Sequence, residues 1–110
     1  MLGVFKKLFA DTKNQELLTA IRNGALMVDV RTPAEFAADR VAGAINIPLD
    51  KIPRRLSQFK GNDMIVVFCK SGGRSAQAKD ILEQSGFENI INGGSRQKVG
   101  QHIKEATGVE

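Results

Sequence analysis

The sequence predicts an α/β domain in which a central, mainly parallel sheet carries helices on both faces. Three observations lead there. Leu26–Val30 and Met64–Cys69 are short apolar runs without polar alternation, the pattern of strands covered on both sides. Helical spacing flanks them, through Leu17, Leu18 and Ile21 before the first and Ala78, Ile81, Leu82 and Ser85 after the second. Glycines and prolines punctuate the changes of pattern. Strands alternating with helices pack as a layered sheet.

The elements follow in order. Met1–Phe9 is too short, and too broken by Lys6 and Lys7, to cross a membrane or form a signal-peptide core. Leu2, Phe5 and Phe9 share a helical face that is expected to pack on the domain itself, with weak contact to a membrane surface through residues 1–9 as the alternative. Asn14–Asn23 reads as a helix stopped by Gly24, and Leu26–Val30 as a buried strand. Thr32-Pro33-Ala34-Glu35 forms a capping box that starts a short helix through Asp39. Gly43–Pro48 reads as a short strand ended by its proline. Asp50 is expected to cap a short helix carrying Ile52, Leu56 and Phe59, and Gly61-Asn62-Asp63 is a turn. After the helix closed by Gly86, Phe87–Asn92 reads as a further strand. Gly93-Gly94 then turns the chain into a terminal helix reaching about Ala106.

Composition narrows the function. The 110 residues suit one domain, and 42% hydrophobic with 25% charged residues is ordinary for a soluble globular chain. A single cysteine excludes an internal disulfide framework and fits a reducing compartment, so a cytoplasmic location is expected. One histidine far from that cysteine makes a structural zinc site improbable, and neither metal nor cofactor is expected. The net charge of +4 includes Lys51, Arg54, Arg55 and Lys60 in a stretch without acids. That cluster suits a solvated face, steering of a small anion, or docking of an acidic protein. With no Trp or Tyr and no recognisable nucleic-acid module, nucleic acid is not expected as a partner.

The stretch Met64–Ser85 carries the chemistry. Cys69 ends the apolar strand, and Lys70-Ser71-Gly72-Gly73-Arg74 leads into a helix beginning near Ser75. A helix N-terminus offers free N–H groups and partial positive charge, and successive loop amides add an anion-binding nest. Amides, Lys70 and Arg74 are expected to acidify the thiol, and the thiolate is the nucleophile. A lone cysteine is often an inert core residue. A core cysteine, however, requires no Gly-Gly, no flanking cations and no adjoining helix start. In parallel sheets ligands bind beyond the carboxyl ends of strands, where both Cys69 and Arg31 fall.

These segments, in this order, resemble the single-domain rhodanese-like family. The matching residues are Asp29-Val30-Arg31 with Glu35, Gly43–Pro48, Ile65–Cys69 with Gly72, Arg74 and Ser75, then Gly86-Phe87 and Gly93-Gly94. The resemblance spans roughly residues 14–104, leaving 1–13 as an N-terminal extension of a single domain over 1–110. It implies a five-stranded parallel sheet and thiosulfate sulfurtransferase chemistry. Cys69 would take the sulfane sulfur as a persulfide, with Lys70, Ser71, Gly72, Gly73, Arg74 and Ser75 as the binding loop. Cyanide, a small thiol or a thiol protein would accept the sulfur. Asp29, Arg31 and Glu35 fall at structural positions, with Arg31 and Glu35 expected to pair and brace the turn. Related phosphatases place one more residue between cysteine and arginine than the four found here, so the shorter loop argues for sulfur over phosphate. A persulfide carrier, or an anion- or redox-sensing module, is the non-enzymatic alternative. The sequence departs from the family at Arg40, often a histidine, and at Ser95-Arg96-Gln97-Lys98, commonly aromatic-rich.

Overall fold

A computed structural model describes the backbone of residues 2–108 and the side chains of residues 12–108. Four strands form the sheet: β1 (Leu26–Asp29), β2 (Ile45–Asn46), β3 (Ile65–Cys69) and β4 (Ile90–Ser95). The helices are α1 (Leu2–Arg22), α2 (Pro33–Ala38), α3 (Gly73–Gln84) and α4 (Arg96–Thr107), with 3-10 turns at Leu49–Arg54 and Leu56–Phe59. The strands lie in the order β2-β1-β3-β4 and every pairing is parallel.

All five residues of β3 are buried, as its unalternating apolar run requires. Ile65, Val67 and Cys69 face a core of Val28, Val30, Ile52, Phe59, Ala78 and Leu82, beneath α3 and the 3-10 turns. Val66 and Phe68 face the opposite core with Leu17, Ala20, Val99 and Ile103, beneath α1 and α4. The two-residue period of β3 thus divides one apolar run between two layers. Phe59 and Phe87 meet edge to face, with ring centres 6.0 Å apart.

Several expectations need correction. The sheet has four strands rather than five among the described residues, and the segment before Asn14, set apart as an extension, continues α1 back to Leu2. That segment contains no proline and a single glycine near its start. The helical face of Leu2, Phe5 and Phe9, expected to pack on the domain, lies outside the described side chains. Among the described residues, no helix is long and apolar enough to cross a membrane. The Gly43–Pro48 strand shrinks to Ile45–Asn46, flanked by a left-handed Gly43 and by Pro48, which lacks an N–H. Asp50 does not cap a helix: it lies inside a 3-10 turn preceded by Pro48, which makes no side-chain cap. Ser85 is exposed, and its hydroxyl donates back to the Ile81 carbonyl.

The Gly93-Gly94 pair lies inside β4, not after it. A bulge falls there, since Val67 aligns with Asn92 whereas Phe68 aligns with Gly94. A Cβ on Gly93 would stand 2.8 Å from Val99 Cγ2 and 3.0 Å from Val66 Cγ1, so glycine lets α4 approach the sheet closely. The bulge brings Ser95 alongside Cys69, and α4 starts at the same rim of the sheet as the cysteine loop.

Candidate active site

β3 delivers Cys69 to its carboxyl end, and α3 begins at Gly73. Gly72 turns the corner with φ of 102°, a left-handed angle that glycine adopts without steric cost. The turn folds the Gly72 N–H back onto Cys69, which it approaches at 3.0 Å from Sγ. Ser75, in the first turn of α3, places Oγ 3.5 Å from the same sulfur.

Ser75 Oγ also lies 2.6 Å from Asn92 Oδ1 and 3.0 Å from the Gly72 carbonyl. Its single proton is therefore contested by three acceptors. Asn92 Oδ1 accepts from the Gly94 N–H at 3.0 Å, and its Nδ2 donates to the Gly72 carbonyl at 3.2 Å. Asn92 thus ties the bulge of β4 to the cysteine loop. The sequence marked it only as the polar end of an apolar run.

Burial pushes the Cys69 thiol up. The Ser75 hydroxyl and the N–H groups of Ser75, Ser71 and Gly72 outweigh burial and leave the thiol below its ordinary value. Attraction between Cys69 and Arg74 adds to this. The acidifying set is chiefly hydroxyl and amide, where the sequence had pointed equally to the two cations.

Arg74 is held from α2. Its Nη1 and Nη2 donate to Glu35 Oε1 and Oε2 at 2.6 and 3.0 Å, a bidentate pair with the geometry of strong charge-assisted bonds. Glu35 also closes the expected capping box, accepting from the Thr32 N–H at 3.1 Å while its own N–H donates to Thr32 Oγ1. Arg74 foremost, then the Thr32 N–H, bring the Glu35 carboxyl down to about 2.

Glu35 and Arg31 do not form the pair expected between them. Arg31 instead grips Asp29, with Nε 3.0 Å from Oδ1 and Nη2 2.7 Å from Oδ2, and donates to the Asp39 carbonyl as well. The physical reason is proximity: Asp29 and Arg31, two residues apart along an extended chain, emerge on one side, while Arg74 faces Glu35 across the loop. Asp29 is fully buried, so this bridge is costly to break from one side. Asn46 completes the support, with Nδ2 donating to the carbonyls of Asp29 and Arg31 at 2.9 and 3.0 Å.

Lys70 and Ser71 are exposed at the loop's outer edge. Arg40 stacks over the Phe36 ring, 4.8 Å from its centre. His102 stays on α4, with Nδ1 2.8 Å from the Lys98 carbonyl. Among the described residues, no group of three or more His, Cys, Asp or Glu side chains could hold a metal ion. The site as built offers one acidified thiol inside a ring of N–H and O–H donors, suited to holding a negatively charged sulfur.

Fold and site together define an α/β protein whose single cysteine ends a central strand inside a loop of N–H and O–H donors. The rhodanese-like domain pattern matches residues 13–97, and the chain belongs to that family. A sulfurtransferase of Allochromatium vinosum is 35% identical over 82 residues, covering 74% of this chain and 77% of that protein. The thiosulfate sulfurtransferase PspE of Escherichia coli is 39% identical over 69 residues, covering 61% of this chain and 66% of that protein. A solved structure of a rhodanese with anions from E. coli superposes with a TM-score of 0.63 at 35% identity, covering 68% of this chain and 91% of that one.

Proposed function

We propose that the domain is a sulfurtransferase that moves a sulfane sulfur from thiosulfate, or a similar anionic donor, to cyanide or a thiol through a Cys69 persulfide. The observation that carries this reading is the Gly72 N–H at 3.0 Å from Cys69 Sγ, within a loop whose donors lower the thiol. The thiolate attacks the outer sulfur of thiosulfate, a Cys69–sulfur bond forms, and the sulfur–sulfur bond to the sulfonate breaks. Sulfite departs with that electron pair. The terminal persulfide sulfur inherits the negative charge, and the loop donors can stabilise it as they stabilise the thiolate. Sulfite is a good leaving group, so the step needs no general acid. This agrees with the absence of a histidine from the groups described around Cys69. The lone cysteine suits a reducing compartment such as the cytoplasm.

The test is thiosulfate:cyanide turnover alongside hydrolysis of an aryl phosphate. The reading predicts clear sulfur transfer by the native protein, its loss in Cys69→Ser, and little phosphate release. A single discharge without multiple turnover would instead indicate a persulfide carrier.

A further inference from the structure

The rim around Cys69 carries more cations than the loop uses. Arg31 is locked in a buried bidentate bridge to Asp29, and Arg74 in a bidentate bridge to Glu35. Two charges remain available. Lys70 is exposed and forms no ion pair among the described residues. Among the described residues, Arg96, the first residue of α4, forms an ion pair only with the Asp39 carboxylate, and those side chains are 35% and 50% exposed. An ion pair so exposed to water contributes little to stability, about 0–1 kcal/mol, so an incoming carboxylate can replace Asp39 at small cost.

Lys70 and Arg96 line the same open cavity of about 370 Å³, whose other charged lining residues are Arg31, Asp39 and Glu35, the last held by Arg74. Lys70 follows Cys69 and Arg96 follows Ser95, its partner in the sheet register, so the cavity borders the cysteine loop at Lys70, next to the buried Cys69. Its volume lies in the range of small-molecule sites and leaves room beyond the few atoms of thiosulfate. The cavity therefore suits an occupant with a carbon skeleton, a negative end for Lys70 and Arg96, and a reactive end at Cys69. Arg96 stands in the segment where the sequence departs from the aromatic-rich pattern of its family.

We propose that Arg96 and Lys70 bind the sulfur acceptor and that this acceptor is a small thiol bearing a carboxylate. The proposal rests on the sulfurtransferase reading above. The acceptor thiolate attacks the outer persulfide sulfur, and the Cys69–sulfur bond breaks. Cys69 leaves as thiolate, and the acceptor departs as its own persulfide anion. Charge and sulfur balance without a further oxidant or reductant. Arg96 is the stronger anchor, because its planar fork can hold both carboxylate oxygens.

The experiment measures discharge of the Cys69 persulfide to 3-mercaptopropionate, 2-mercaptoethanol and cyanide, correcting each thiol for its uncatalysed reaction with a small persulfide. The readout is the ratio of kcat/KM for the carboxylated thiol to that for the neutral one, so a general loss of activity cancels within each variant. The native protein is expected to favour 3-mercaptopropionate about tenfold or more, the effect of one charge-assisted contact. Arg96→Gln is expected to bring the ratio close to one, and Lys70→Gln to lower it. Asp39→Asn releases Arg96 while keeping the backbone carbonyl that Arg31 uses, and is expected to hold or raise the ratio. A native ratio near one, or an unchanged ratio in Arg96→Gln, overturns the proposal while cyanide turnover leaves the sulfurtransferase reading intact. Equal losses in Arg96→Gln and Asp39→Asn also overturn it, since the ion pair would then act only as a brace. Failure of every acceptor, cyanide included, overturns both readings.

Discussion

Glu35→Gln isolates the bridge that holds the cysteine loop against α2. Glutamine can still close a capping box, so the start of α2 survives while the charge facing Arg74 is removed. The Glu35 carboxyl falls from its ordinary 4.5 to about 2, a difference worth about 3 kcal/mol by linkage. That figure is an upper bound. Part of the lowering comes from Thr32, and the Arg74 and Glu35 side chains are 34% and 31% exposed, so solvent screening reduces the bridge to about 1–2 kcal/mol. At roughly 4 °C per kcal/mol for a domain of this size, Glu35→Gln is expected to melt about 4–8 °C lower at pH 7. The pH dependence has a fixed sign. Because the folded carboxyl is the more acidic, its stabilisation is fully present above about pH 4.5 and is lost as pH falls through about 2. Thermal melts of both proteins at pH 7, 5, 3 and 2 therefore show a gap that narrows below pH 4.5. No gap at pH 7, or one undiminished at pH 2, would refute the reasoning.

Two further outcomes follow from the site and the core. Ser75→Ala removes the strongest acidifying partner of Cys69, and alkylation of the thiol at neutral pH is expected to slow about tenfold, the effect of one hydrogen bond to a charged group. An unchanged alkylation profile would mean that the Ser75 proton stays with Asn92 or Gly72. Gly93→Ala forces a methyl to 2.8 Å from Val99 Cγ2 and is expected to destabilise the fold by about 1–3 kcal/mol in urea melts. A neutral effect there would show that α4 can move away from the sheet.

Buried strands and the strand–loop–helix around Cys69 were legible in the sequence because they depend on local pattern. The apolar runs at Leu26–Val30 and Met64–Cys69 became β1 and β3 almost residue for residue, and Thr32 to Glu35 formed the expected cap. The ion pairs were less legible, because side-chain partners depend on which elements the fold sets opposite one another. Arg31 and Glu35 are close in sequence, yet Glu35 meets Arg74, 39 residues further along the chain. The bulge in β4 was hidden for a similar reason. Gly93-Gly94 reads as a turn until Val66 and Val99 are known to crowd the place where a Gly93 side chain would stand. Asn92 has no local signal for its role, since it bonds to a loop twenty residues earlier in the chain.

The central claim is that sulfur passes through Cys69. Its most direct test is the intact mass of the protein after incubation with thiosulfate, followed by incubation with cyanide. The account predicts a gain of one sulfur atom, located on Cys69, that disappears on adding cyanide and never forms in Cys69→Ser. A native protein that remains unmodified, or a Cys69→Ser variant that gains the same mass, would contradict it.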